Sequence, residues 1–232
     1  MTDQILPGSH FDAKLTALQN LLLEMAGRSE EMVRLAVNGV VHRDPARAGE
    51  VRAAEDRIDQ LELQIDERVM ELLALQRPMA GDLRFVFVVL KACRDIERIG
   101  DHAVNIAGAG ERAAVHPPLP EILEIAEIGD LVRRMLGRAL GALVNRDADT
   151  ARAVIAEDKV VDALRYSTFD IIMSYMSHQA RYIPAGMNMI LAVQNLERIG
   201  DLATNIAEEV VFLVEGHSIK HTRSAGPDEH GP

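Results

Sequence analysis

The sequence predicts an all-α protein of two tandem, symmetric, antiparallel three-helix bundles, six long helices in all. A repeat, a periodicity and a composition point there. The phrase Glu97-Arg98-Ile99-Gly100-Asp101 returns as Glu197-Arg198-Ile199-Gly200-Asp201, and each copy is followed by Asn-Ile-Ala, at 105–107 and 205–207. The constant offset of 100 residues in a chain of 232 makes the protein two copies of one unit. Apolar residues recur at helical spacing over long windows, and no stretch alternates with period two between turn signals. Hydrophobic content is 48% but aromatic content only 3%, with no Trp, so the core is aliphatic and suited to helix packing.

Taken in order, residues 1–8 read as a loose start ending in Pro7-Gly8. Ser9 is expected to cap a helix running to about Val41, with Leu15, Leu18, Leu22, Met25, Met32, Leu35 and Ala36 on its apolar face. Asp44-Pro45 is a restart signal, an N-cap followed by proline in the first turn. The second helix runs to about Leu75 and turns Ala54, Ile58, Leu61, Ile65, Val69 and Leu72 to one side. Pro78 breaks it, and a third helix from about Met79 to Ala109 carries the first copy of the phrase. Pro117, Pro118 and Pro120 mark the boundary between halves. A fourth helix follows from about Glu121 to Asn145. A fifth, capped by Asp147 or Asp149, runs to about Ser177, and a sixth from near Pro184 to about Glu215 holds the second copy. The expected organisation is one three-helix repeat over 9–113, a second over 119–215, and a disordered polar tail over 216–232 whose three histidines read as solvated. Helices of this length span about 40–50 Å, and their short connections make neighbours antiparallel.

The net charge of −11 argues against a nucleic-acid-binding surface, which needs a basic footprint, and is compatible with cation binding. The single cysteine, Cys93, rules out an internal disulfide and a cysteine-based zinc cluster. The first residues lack a basic segment followed by an apolar core, and no apolar run approaches 18 residues. No signal peptide and no membrane insertion are therefore expected, and a reducing cytoplasmic setting is the simplest reading.

The candidate site lies in the repeated phrase. Glu97 and Asp101 are four apart on a helix, so they share a face, and Asn105 extends the row by a turn; Glu197, Asp201 and Asn205 do the same. Both pairs border the apolar arc formed in the first copy by Ile96, Ile99, Ala103 and Ile106. Each is preceded by another acidic pair on the previous helix, Glu55 with Asp59 and Asp158 with Asp162. If consecutive antiparallel helices turn these pairs toward each other, four carboxylates meet at one level of each bundle and need a counter-charge. Divalent metal is the economical one, because hard cations take oxygen ligands. The competing reading is that Arg57, Arg98, Lys159 and Arg198 neutralise the acids in surface salt bridges; the twofold repetition favours metal. Gly100 and Gly200, each costing a helix about 0.8–1 kcal/mol relative to Ala, imply close approach of a neighbouring helix or space beside the acids.

Other chemistries are less supported. A ferritin-like di-iron site wants Glu-x-x-His, and none of the eight histidines has an acid three residues before it. His102 reads as a surface residue. Cys93 lies one turn before Glu97, but Val193 holds the matching place, so it reads as a core residue. No nucleophile elbow, P-loop or His-Glu-x-x-His is present, which leaves a multinuclear carboxylate-metal phosphohydrolase as the alternative reading.

The doubled Glu-Arg-Ile-Gly-Asp-x-x-x-Asn-Ile resembles the signature of the PhoU family of phosphate-uptake regulators, as do the run Gln76-Arg77-Pro78-Met79-Ala80-Gly81-Asp82-Leu83-Arg84 and the His10-Phe11 ahead of the first helix. The resemblance covers about residues 9–215. It implies paired three-helix bundles, a homodimer, and multinuclear metal clusters of iron, zinc, manganese or magnesium. By position the metal-binding pairs are Glu55/Asp59 with Glu97/Asp101 and Asp158/Asp162 with Glu197/Asp201, Asn105 and Asn205 being further candidates. It also implies a non-enzymatic negative regulator of phosphate uptake and of the phosphate-starvation response. Such a regulator links the ATPase subunit of a phosphate ABC transporter to the sensor histidine kinase of a two-component system. One departure is Glu55, where an Asp is common; the longer side chain still supplies a carboxylate.

Overall fold

The computed structural model describes residues 7–76 and 79–219. Six helices account for nearly all of them: α1 Pro7–Val41, α2 Ala46–Gln76, α3 Ala80–Ala114, α4 Leu123–Asn145, α5 Ala148–His178 and α6 Ile183–Glu215, with a short 3-10 turn at Ala180–Tyr182. No strand occurs among the described residues. The all-α expectation and the count of six helices hold.

The local chemistry at the helix ends is mostly what the sequence indicates. Asp147 is the cap of α5, its carboxylate accepting from the backbone N–H of Asp149 and Thr150 and from the Thr150 hydroxyl. Asp44 accepts from the Ala46 N–H at 3.1 Å, just before α2. Pro184 sits in the first turn of α6, where its missing N–H costs nothing. Three boundaries differ. The first helix begins at Pro7, so Ser9 lies inside it and is not its cap. The third continues to Ala114, five residues past Ala109, because Ala109 and Ala113 are still buried. The fourth starts at Leu123, after the proline-rich connection. The break at Pro78 and the tail beyond residue 219, with His221 and His230, lie outside the described residues.

In each half the three helices pack on one another, α1 and α2 with α3, α4 and α5 with α6. The halves also pack together: α3 against α6 is the most extensive helix pair of the molecule, and α1 meets α4. The buried apolar side chains form one continuous cluster that runs through both bundles. The α3·α6 seam is antiparallel, as its cross-links show. Phe87 meets Phe212 edge to face with ring centres 6.5 Å apart. Arg84 donates to the Leu213 carbonyl at 3.3 Å, Lys91 pairs with Glu209 at 3.0 Å, and Arg112 donates to Asn188 at 3.0 Å. The His102 ring lies 2.9 Å from the Asn195 amide oxygen. His102 is thus half-buried at the seam, not a free surface residue; a residue that points away from its own helix's core meets the other half's. At α1·α4 the approach is close enough that a Cβ on Gly129 would come within 2.7 Å of Val37. No helix among the described residues is long and apolar enough to cross a membrane.

Candidate metal centres

Both copies of the repeated phrase sit mid-helix, in α3 and in α6. Ile96, Ile99, Ala103 and Ile106 are fully buried, as are Leu196, Ile199, Ala203 and Ile206. That anchoring fixes the rotation of each helix, and it turns the acids to the margin of the core. Glu97 is half-buried and Asp101 exposed; Glu197 is half-buried and Asp201 exposed. On the neighbouring helices Ile58 and Val161, each only 1% exposed, play the same anchoring part for Glu55/Asp59 and for Asp158/Asp162.

The acids of the first half act on one another electrostatically. Burial raises the Glu55 carboxyl above its ordinary range, and Asp101, Asp59 and Asp56 raise it further. Glu97 is raised by burial and then by Asp101, Glu62 and Asp59, against a weak opposing pull from Arg98. Glu62 is raised by burial, then by Asp66 and Asp59, with Arg94 opposing and Asp101 adding. Asp59 of α2 and Asp101 of α3 therefore act on all three glutamates, and the two helices face each other at this level. In the second half Asp201, exposed on its outer side, is raised to about 6 by partial desolvation and then by Glu197, Asp158 and Asp162, with Arg198 opposing. The Thr204 hydroxyl, on the next turn of α6, lies 3.4 Å from Asp158 Oδ1. Asn105 is exposed and Asn205 half-buried, each one turn beyond its aspartate.

In the first half the basic residues that flank the acids in sequence, Arg57 and Arg98, have carboxylate partners outside the two pairs. Arg57 reaches α1 and pairs with Glu24 at 2.8 Å, and Arg98 lies 3.8 Å from Asp95 on its own helix. Salt-bridge neutralisation by these two is not what the fold builds. The carboxylates stand as facing rows rather than a closed cage: among the described residues no three His, Cys, Asp or Glu side chains are gathered as ready ligands around one point. As a donor set the rows fit a hard cation. They offer oxygen without nitrogen or sulfur, several carboxylates face one another, and their mutual repulsion is relieved by positive charge between them.

The glycines of the phrase have a plainer role. A Cβ at Gly100 would point at Ile58 and Met32, and one at Gly200 at Val161 and Val132. Both glycines face the packed interior of their own bundle and not the carboxylates. The expectation of space beside the acids is corrected to helix packing, since the residue after Ile99 or Ile199 turns with it toward the core. Cys93 is buried, its Sγ 3.6 Å from Met25 Sδ and its thiol pushed up to about 12 chiefly by burial.

Sequence reasoning missed three residues. Glu62 and Asp66 continue the α2 row, seven residues beyond Glu55 and Asp59 and hence on the same face. Arg165 of α5 stands 3.7 Å from Glu197. The first two were legible from helical spacing. The arginine was not, because its partner lies on another helix.

Comparison with known proteins agrees with this architecture. The model of the PhoU domain matches residues 22–109 and 125–210. The chain is 38% identical over 212 residues to the phosphate-specific transport system accessory protein PhoU homolog of Pseudomonas aeruginosa, covering 91% of this chain and 88% of that one. The crystal structure of PhoU from Pseudomonas aeruginosa superimposes with a TM-score of 0.85 at 38% identity, covering 89% of this chain and all of the other. That of the phosphate transport system regulatory protein PhoU from Streptococcus pneumoniae gives 0.82 at 28% identity, covering 90% and 99%.

Proposed function

The chain belongs to the PhoU domain family, and from that membership we propose that it is a non-enzymatic accessory protein of phosphate transport. In this reading it lowers phosphate uptake and represses the phosphate-starvation response when phosphate is plentiful. It works as a cytoplasmic homodimeric adaptor between the ATPase subunit of a phosphate ABC transporter and the sensor histidine kinase of a two-component system. The names of its relatives, an accessory protein and a regulatory protein of phosphate transport, support the transport half of this reading. Long helices with polar outer faces offer the extended surfaces that helix and groove recognition uses.

The observation that carries the metal-binding part is the facing of acidic rows in both halves, with Arg57 paired to Glu24 and Arg98 nearest Asp95. Glu55, Asp59, Glu97 and Asp101 would hold cations in the first bundle, and Asp158, Asp162, Glu197 and Asp201 in the second. Iron, zinc, manganese and magnesium are all compatible with carboxylate oxygen. When bound, the metal supplies positive charge that ties α2 to α3 and α5 to α6. The chain's own part is to keep these helices in register by burying Ile58 and Val161 against the phrase.

Two measurements test the proposal. Deleting the gene should raise phosphate uptake and alkaline phosphatase in phosphate-rich medium, and unchanged phosphate control would overturn the regulatory reading. Elemental analysis of tag-free protein, native and reconstituted, should find stoichiometric metal, and its absence would overturn the metal reading.

A further inference from the structure

We propose that the two centres are unequal and that Arg165 makes the second the weaker. This rests on the metal reading above and extends it to which half fills first. The offset of 103 residues that maps Glu55 onto Asp158 and Asp59 onto Asp162 also maps Glu62 onto Arg165 and Asp66 onto Phe169. Where the first half adds two acids to its row, the second adds a cation and a hydrocarbon ring.

The side chains bear this out. Glu62 and Asp66 lie two turns beyond Glu55 and Asp59 on the same face of α2, which packs along α3, so they extend the acidic row of the first centre. Arg165 points at the second: its Nε is 3.7 Å from Glu197 Oε1 and has no hydrogen-bond partner, and its side chain is only 22% exposed. The guanidinium lies 4.2 Å from the Tyr166 ring, which holds it in place. Arg98 and Arg198 occupy matching places and cancel in the comparison. Arg94, one turn before Arg98 on α3, has only Gln194 as its counterpart, and this offsets part of the difference. Counted over the facing rows, the first centre nevertheless stays the more negative by two charges, with Glu55, Asp59, Glu62, Asp66, Glu97 and Asp101 against Arg94, and Asp158, Asp162, Glu197 and Asp201 against Arg165; beside the rows, Asp56 matched by Lys159 widens the gap. Arg165 acts as an internal counter-ion that an incoming cation must displace from Glu197, or bind beside. The first bundle therefore takes up metal at concentrations that leave the second empty, and the protein has a partly loaded state.

The test uses the full chain, stripped with chelator and titrated calorimetrically with manganese alone. Two classes of site are expected, the weaker by at least about tenfold, as for a dication meeting an added unit charge a few ångström away in a water-like medium. Asp101→Ala should remove the tighter class and Asp201→Ala the weaker. Arg165→Gln should tighten the weaker class about tenfold and leave the tighter unchanged, and Glu62→Arg should weaken the tighter one. Circular dichroism confirms that each variant is folded; should Arg165→Gln fail to fold, Glu62→Arg decides. Equal classes in the unaltered protein, a weaker class that Arg165→Gln leaves where it was, or a tighter class that Glu62→Arg leaves where it was, overturn the proposal alone. No manganese binding at all overturns it together with the metal reading.

Discussion

Lys91 Nζ lies 3.0 Å from Glu209 Oε1, and this ion pair crosses the seam between the two bundles. The two ends are unlike: Glu209 is 2% exposed, whereas Lys91 is 40% exposed and stacks over the Phe87 ring at 4.4 Å. Removing a partner of a buried carboxylate costs more than the pair itself is worth, because the charge stays behind in a poor solvent. Lys91→Ala is expected to destabilise the protein by about 2–3 kcal/mol, below the range for a fully buried pair because the ammonium is partly hydrated. Urea denaturation checks it, and Lys91→Arg should recover most of the loss.

The glycines separate by what surrounds them. At Gly100 an added Cβ meets Ile58 and Met32 at 3.7 Å, an ordinary contact, so Gly100→Ala should be neutral or stabilise by up to about 1 kcal/mol through helix propensity. At Gly129 the added atom would sit 2.7 Å from Val37, and Gly129→Ala should destabilise by roughly 1–3 kcal/mol as α1 and α4 are pushed apart. Thermal melts of the two variants measure the contrast. A large loss at Gly100 would show that the phrase needs its glycine for more than packing.

Acid repulsion gives the metal-free protein a definite pH dependence. The folded-state pKa of Asp201 is raised from 3.8 to about 6 by burial and by Glu197, Asp158 and Asp162. Between those values the folded chain holds more protons than the unfolded one, so this contribution to stability is full below about pH 4 and is lost as pH rises through about 6. Glu55, Glu62 and Glu97 are raised as well and act in the same direction. Asp201→Asn should flatten part of the decline between pH 4 and 7 and stabilise the metal-free protein at pH 7 by on the order of 1 kcal/mol, after allowance for solvent screening of an exposed carboxylate. Denaturation of the chelated protein across that range measures it.

Bound metal should stabilise by mass action. Chelator is expected to lower the melting midpoint of metal-loaded protein, with free metal at a hundred times its Kd worth about 2.7 kcal/mol. The double variant Asp101→Ala, Asp201→Ala should melt at one temperature with or without chelator. A chelator shift of equal size in the double variant would place the metal elsewhere on the chain.

Much of the fold was legible without coordinates. Apolar residues at helical spacing in a chain with few aromatics leave few alternatives to long amphipathic helices, and Pro45, Pro120 and Pro184 lie between helices or in a first turn because proline tolerates little else. The doubled phrase also showed that the fold is a repeat. The ends were less legible: α3 runs past Ala109 because burial of Ala109 and Ala113 against other helices extends it, a tertiary effect that local propensity does not carry.

By itself the sequence determined six helices, their twofold duplication, and which acids share a helix face, because these follow from the 100° step between residues. Only the tertiary structure decided what those faces meet. It turned Arg57 to Glu24 on α1, set His102 against Asn195 across the seam, pointed Gly100 at Ile58, and brought Arg165 beside Glu197. The physical reason is the same in each case. A helix fixes the directions of its own side chains, but the partner at the end of each direction belongs to another helix, and its place is set by how the buried faces of both bundles pack into one core.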